Sequence, residues 1–275
     1  MYYTRLQIIC DPEFSEILMA EIAETGFDTF METEQGFEAY ANDKFDQEGV
    51  ESIKEKYKRV SPLLFFEEKI EKQNWNKEWE KNVEPVMVDD QVLVRAEFHQ
   101  IERKFPYEII ITPKMSFGTG HHQTTHLMLK NQLTFDHQGK KVMDAGCGTA
   151  ILSIMASKLG AKSIEAFDID EWSVTNGKEN AEVNHCTNIH IQQGKISDFK
   201  FDTKFDIILA NINRNILLSE MQNYSNELMA NGYLLLSGFY ETDIDELKKE
   251  AAKSKLQEVH RDSREAWACL LLQKK

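Results

Sequence analysis

Cysteine is scarce in this chain. Cys10, Cys147, Cys186 and Cys269 are scattered, with no Cys-x-x-Cys pair. That pattern gives no disulfide framework and fits reduced thiols in a cytoplasmic protein. The 275 residues include only 5 prolines and 13 glycines, with 41% hydrophobic residues, which excludes a disordered or fibrous chain. No apolar run approaches the roughly 18–20 residues that a membrane span needs, so no membrane partner is expected. The first eleven residues lack a basic start and a long apolar core, so they do not read as a signal peptide. Basic charge is in deficit as well: 32 Lys and Arg against 46 Asp and Glu, net −14. Binding by phosphate neutralisation needs the opposite balance, so direct nucleic-acid binding is not expected. The charge suits a small-molecule ligand or a basic protein partner.

The length is about twice that of a common domain. Residues 1–70 read as one small unit. Leu6, Ile8 and Cys10 alternate with polar neighbours as in a strand. Phe14, Ile17, Leu18 and Ile22 follow at helical spacing, and Gly26 ends the run. Residues 27–31 and 36–41 flank a Glu-Gln-Gly turn, the mark of a hairpin. Val50, Ile53 and Tyr57 suggest a second helix, and residues 63–66 a last buried strand. The order βαββαβ predicts a ferredoxin-like α+β domain. This end is acidic: residues 1–75 hold 8 basic and 17 acidic residues, net −9. Residues 71–90 read as a polar connector. Trp75 and Trp79 would share one face of a helix there and pin the connector to a domain.

Residues 91–275 read as a second domain. From Lys141 onward, strand-like runs at 142–143, 164–167, 189–191, 205–209 and 233–236 alternate with helical stretches. Alternation of this kind predicts a Rossmann-like, mostly parallel, doubly wound sheet. Residues 256–259 and 266–272 have no helix between them, which predicts an antiparallel strand at or near the sheet edge.

The most informative stretch is Asp144-Ala-Gly146-Cys-Gly148, set between a strand and an amphipathic helix. Glycines there let a ligand approach the backbone. Asp168 stands 20 residues after Gly148 and closes the next strand, the place from which a carboxylate binds ribose hydroxyls. A dinucleotide fingerprint would want a third glycine at 151, and Ile151 is there. Asp144 would repel a pyrophosphate and attract a ligand bearing an ammonium and a sulfonium. The cofactor expected is therefore S-adenosylmethionine. Asp170 and Asn213 are expected as helix caps, and Cys147 as a small filler residue.

Asn211 closes the strand at 205–209 and faces the crevice of such a sheet. Its amide oxygen can hold an N–H of an attacking amine and aim the lone pair, so it is the expected catalytic positioning residue. The loop at 115–126 has glycines at 118 and 120 and reads as a flexible lid. His122 and His126 lie four apart, but Gln123 stands where a zincin has Glu, and no third ligand is evident, so no metal is expected.

The residues 117–125 (Phe-Gly-Thr-Gly-His-His-Gln-Thr-Thr), 144–152, 167–170 and 210–212, with Asn74, Trp75 and Trp79, resemble the PrmA family of ribosomal protein L11 methyltransferases. The resemblance covers almost the whole chain. It implies a front domain that captures the ribosomal protein, a flexible connector and a catalytic domain. It also implies that Thr125, Gly146, Asp168 and Asn211 contact S-adenosylmethionine, with Gly148 in the same loop. Three positions depart from the family pattern: His121 for Thr, Gln123 for Pro, and Ala150 for the third glycine. The last is expected to bring a methyl nearer the cofactor.

The function expected is methylation of lysine ε-amino and N-terminal α-amino groups of this basic ribosomal protein by a monomer. Two alternatives stand beside it. One is an RNA or other protein methyltransferase of the same fold, against which the net charge argues. The other is a non-catalytic binding protein, against which the intact Asp144, Gly146 and Asp168 set argues.

Overall fold

The computed structural model describes residues 2–10, 12–27, 29–33, 35–42, 45–58, 63–71, 84–112 and 118–275. Trp75, Trp79 and Phe117 lie outside these. The chain divides into two compact units, Met1–Asn82 and Val83–Lys275.

The first unit runs β1 (Tyr2–Ile9), α1 (Pro12–Glu24), β2 (Thr29–Thr33), β3 (Gly36–Asn42), α2 (Gln47–Tyr57) and β4 (Leu64–Glu71). The strands lie in the order β2-β3-β1-β4, every neighbouring pair antiparallel. The register sets Leu6 beside Ala39 and Ile8 beside Phe37. These side chains share one sheet face, where Leu18 and Ile22 of α1 and Val50 and Ile53 of α2 cover them. Asp46 starts α2 by accepting the Gly49 N–H at 3.0 Å. The stretch at 63–66 is not buried throughout, as the sequence suggests. Its period of two sends Phe65 to the core and leaves Leu64 and Phe66 about half exposed on the other face.

The second unit begins earlier than residue 91. A short strand β5 (Val86–Val88) pairs with β6 (Val92–Arg95), which pairs with β7 (Tyr107–Ile110). Residues 84–90 therefore belong to this unit and not to a connector. The helix α3 (Gln123–Gln132) follows.

The main sheet is built from β8 (Lys141–Ala145), α4 (Ile151–Lys158), β9 (Ser163–Asp168), α5 (Glu171–Val183), β10 (Ile189–Gln193), β11 (Phe205–Asn211), α6 (Arg214–Glu227), β12 (Leu228–Tyr240), α7 (Ile244–Lys253), β13 (Leu256–Arg264) and β14 (Trp267–Lys274). The strand order is β10-β9-β8-β11-β12-β14-β13. All neighbours are parallel except β14, which runs against both β12 and β13. The reversed strand is thus next to the edge, because the hairpin inserts its second strand beside β12.

Both sheet faces are packed, and the strands show it by alternation. Val142, Ile207 and Leu209 pack under α3 and α4 with Leu127, Met128, Ile154 and Met155. Met143, Ile208 and Ala210 pack on the opposite face with Leu217, Met221 and Tyr224 of α6. Strand order reverses between β8 and its neighbours β9 and β11. The crevice of a doubly wound sheet opens at such a point, at the carboxyl ends of the strands.

Candidate functional site

A cavity of about 450 Å³ lies at that point. Gly146 and Gly148 of the turn after β8 line it, with Asp168 at the end of β9, Asn211 at the end of β11, and Ile196 after β10. Four of the five expected site residues therefore meet at one crevice.

The turn itself is held by backbone. The carbonyl of Phe167 accepts the N–H groups of Gly146 and Cys147 at 2.9 and 3.0 Å. Gly146 has φ +71°, and a Cβ there would come within 2.4 Å of the Ile212 side chain, so only glycine fits. Asp168 completes the fastening. One carboxylate oxygen accepts the Gly148 N–H at 2.9 Å and the other the Asp170 N–H at 3.0 Å. Each oxygen keeps a further lone pair for a ligand hydroxyl.

Asn211 and Asn213 divide two tasks. The Asn213 side chain caps α6 by accepting the Ile216 N–H at 3.1 Å. Asn211 is spared that role, and its Oδ1 is buried with no hydrogen-bond partner among the described residues. An orphaned acceptor at the crevice fits a ligand or substrate N–H. Asp170 caps α5 as expected, accepting from Ser173 N at 2.8 Å. The Cys147 thiol is buried, and burial pushes its pKa well above the ordinary value, so it is a packing residue.

Three residues lie elsewhere than expected. Thr125 lies on α3, fully buried; it does not line the cavity, and its hydroxyl has no partner among the described residues, while Thr124 and His122 line the wall. Asp144 does not line the cavity. Strand alternation turns it toward α4, where it is fully buried and accepts from Ser153 Oγ at 2.6 Å. Burial pushes its carboxyl up to about 7, so it offers the crevice no fixed charge. The methyl of Ala150 does not approach the cavity either. Ala150 has φ +61° and is fully buried, with Gly177 of α5 beside its methyl.

The other departures also find partners. Gln123 opens α3 at a position that suits proline, and its amide donates to Glu265 at 2.8 Å. His121 Nε2 lies 2.9 Å from the carbonyl of Glu84. His126 Nε2 is engaged away from His122. The Arg264 guanidinium donates to its Nε2 at 2.6 Å, and burial and that charge lower its pKa. Among the described residues, no group of three or more His, Cys, Asp or Glu is arranged to hold a metal. None of the described helices is long and apolar enough to cross a membrane.

Some residues at or near the cavity escape sequence reasoning. Trp267 lines the cavity, 4.2 Å from the ring of Tyr240 and 4.7 Å from that of His122. Only the pairing of β14 brings it there, and no local signal marks it. Asn180 of α5 and Asn184, its C-cap, reach β7 and the residues just after it. Asn184 exchanges two hydrogen bonds with the backbone of Ile110, at 2.9 and 2.6 Å. Asn180 accepts from Thr112 N at 2.9 Å and donates to the Thr149 carbonyl at 3.0 Å. Their spacing of four, which puts both amides on one helix face, is the signal that could have found them.

A doubly wound sheet with one reversed strand, a glycine turn after its first strand and an acid closing the second defines the class I S-adenosylmethionine-dependent methyltransferase fold. A methyltransferase from Pyrococcus furiosus shares it at a TM-score of 0.51 and 18% identity, over 60% of this chain and 88% of that one. The chain belongs to the ribosomal protein L11 methyltransferase (PrmA) family, whose profile matches residues 10–275. It is similar to the ribosomal protein L11 methyltransferase of Porphyromonas gingivalis, 43% identical over 93% of this chain and 89% of that one. The corresponding protein of Phocaeicola vulgatus is 38% identical over 95% and 94%. A crystal structure of ribosomal protein L11 methylase from Lactobacillus delbrueckii subsp. bulgaricus matches at a TM-score of 0.65 and 29% identity, over 70% of this chain and all of that one.

Proposed function

We propose that the chain methylates ribosomal protein L11, using S-adenosylmethionine, at lysine ε-amino and N-terminal α-amino groups. The observation that carries this reading is the buried Oδ1 of Asn211, unpartnered among the described residues, at the crevice of Gly146, Gly148 and Asp168. When bound, the cofactor supplies an electrophilic methyl on a sulfonium. Gly146 and Gly148 let its backbone-facing part lie against the turn, and Asp168 accepts from its ribose hydroxyls.

The amine must arrive neutral, because an ammonium has no lone pair. With a reference lysine pKa of about 10.4, little is neutral near pH 7. Desolvation in the crevice lowers that value. Asn211 accepts an N–H without carrying a charge that would favour the ammonium, and it aims the lone pair at the methyl. Catalysis rests on alignment and proximity. No side chain in the crevice is assigned as a general base.

The first unit, with its βαββαβ order, serves as a ferredoxin-like recognition module. Its acidity suits a basic ribosomal protein and speeds encounter more than it tightens binding. The enzyme works as a cytoplasmic monomer. The test is mass spectrometry of L11 after incubation with the chain and labelled S-adenosylmethionine. Added methyl groups on lysine and on the first residue are expected. Unmodified L11, or label on other residues alone, would contradict the proposal.

A further inference from the structure

The cavity has a second wall that the cofactor reading does not use. Ile216, Glu220 and Tyr224 of α6 are spaced by four, and all three line it. Ile216 is 39% exposed and Tyr224 only 2%, so the stripe runs from the cavity mouth to its floor, with Glu220 halfway down. Tyr224 and Ile196 pack in one apolar cluster with Phe167. The stripe therefore faces the turn after β10.

That placement matters for a nucleoside ligand. If Asp168 holds the ribose and the Gly146–Asn211 side holds the reacting end, the base lies on the β10 side, against Ile169, Gly194 and Ile196. A 6-aminopurine presents N–H donors on its outer edge and needs an acceptor there. The side-chain acceptors lining that side are few. Ser173 Oγ donates to Asp170 at 2.9 Å and keeps its lone pairs, but a hydroxyl can turn to donate as well as accept, so it would not tell a 6-amino from a 6-oxo group. The oxygens of Asp168 face its backbone partners and the ribose, and the Lys195 side chain can only donate. Glu220 uses Oε2 to accept from Asn223 at 2.7 Å, and its Oε1 has no partner among the described residues.

We propose that Glu220 reads the exocyclic amine of the cofactor's base, so that this chain's preference for an adenine nucleoside is set from α6. The inference rests on the cofactor reading above and adds to it the residue that discriminates the base. A carboxylate can accept from the 6-amino group but repels a 6-oxo group. A neighbouring effect points the same way: burial and then the Glu220 charge push the Tyr224 phenol up, which places that charge beside the cavity floor.

The test is calorimetric binding of S-adenosylhomocysteine and of its 6-oxo counterpart, S-inosylhomocysteine, to the full chain and to Glu220→Gln. The parent should prefer the 6-amino ligand by about ten-fold or more, the worth of a hydrogen bond to a charged group. In Glu220→Gln, whose amide can also donate, that preference should shrink several-fold, through weaker S-adenosylhomocysteine and tighter S-inosylhomocysteine binding. Glu220→Asp, which keeps the charge one methylene further back, should weaken the 6-amino ligand yet retain the preference. It serves if the Gln variant fails to fold. An unchanged preference in a folded Glu220→Gln would overturn the assignment. So would unchanged affinity for both ligands with a raised KM for L11, which would put Glu220 on the substrate side. If the parent binds neither ligand, the cofactor reading itself falls, and this inference falls with it.

Discussion

Ala150 and Gly177 share one tight contact: a Cβ added at Gly177 would lie 3.3 Å from the Ala150 methyl and 3.2 Å from the Gly148 carbonyl. Ala150 starts α4 in a left-handed conformation, φ +61° and ψ 20°, which costs an L-residue about 1–2 kcal/mol. The methyl that departs from the family's glycine is thus accommodated by the glycine opposite it, on α5.

The pair should behave as a unit. Gly177→Ala alone gains helix propensity but crowds three neighbours, and overpacking of this kind costs about 1–3 kcal/mol. Exchanging the two, Ala150→Gly with Gly177→Ala, puts glycine where φ is positive and alanine in the helix. A double-mutant cycle by urea unfolding should show a favourable coupling of about 1 kcal/mol. Simple additivity would mean that the two positions do not press on each other.

Asp144 should make stability depend on pH. Its carboxyl pKa rises from 3.8 to about 7 on folding, because burial disfavours the ion. A raised folded pKa stabilises the fold fully below about pH 4. That contribution declines as pH rises from there through about 7. Asp144→Asn removes the ionisation. Its stability relative to the parent should therefore improve between pH 4 and about 7, by an amount on the order of a few kcal/mol, and level off above. Unfolding measured at pH 4, 6 and 8 checks this, and parallel curves would show that the carboxyl does not resist ionisation.

Asp168→Ala should weaken S-adenosylhomocysteine by about 1.5–3 kcal/mol, the worth of hydrogen bonds to a charged group. It should also loosen the glycine turn, since the carboxylate holds the N–H groups of Gly148 and Asp170. Calorimetry gives the first effect and hydrogen exchange at residues 146–149 the second. Unchanged affinity in a folded variant would remove Asp168 from the ligand site.

The strand and helix alternation of the second unit is legible because both sheet faces are packed, which leaves continuous apolar strands between amphipathic helices. The caps Asp170 and Asn213 are legible for a local reason: each satisfies the helix that begins beside it. Gly146, Gly148, Asp168 and Asn211 are legible because strand ends converge wherever the sheet order reverses. Thr125 is not, because one residue of helical rotation decides whether Thr124 or Thr125 meets the cavity. Asp144 misleads because its position in the motif says nothing about the sheet face that alternation assigns it. Trp267 and Glu220 arrive by packing across β14 and α6, where no local pattern records a distant partner. Residues 86–88 read as connector because a three-residue strand is too short to show a period.

Asn211 carries the central claim, that its side-chain oxygen aligns a neutral amine. The most direct measurement is the pH dependence of turnover on L11, at saturating S-adenosylmethionine, for the parent, Asn211→Ala and Asn211→Asp. The Ala variant should lose turnover more than cofactor affinity, since alignment matters most in the transition state. The Asp variant, nearly the same shape, should be slow near pH 7 because its carboxylate favours the ammonium, and it should recover in part as pH rises. Full activity of Asn211→Asp with the parent's pH profile would contradict the account, as would an Ala variant that loses only cofactor affinity.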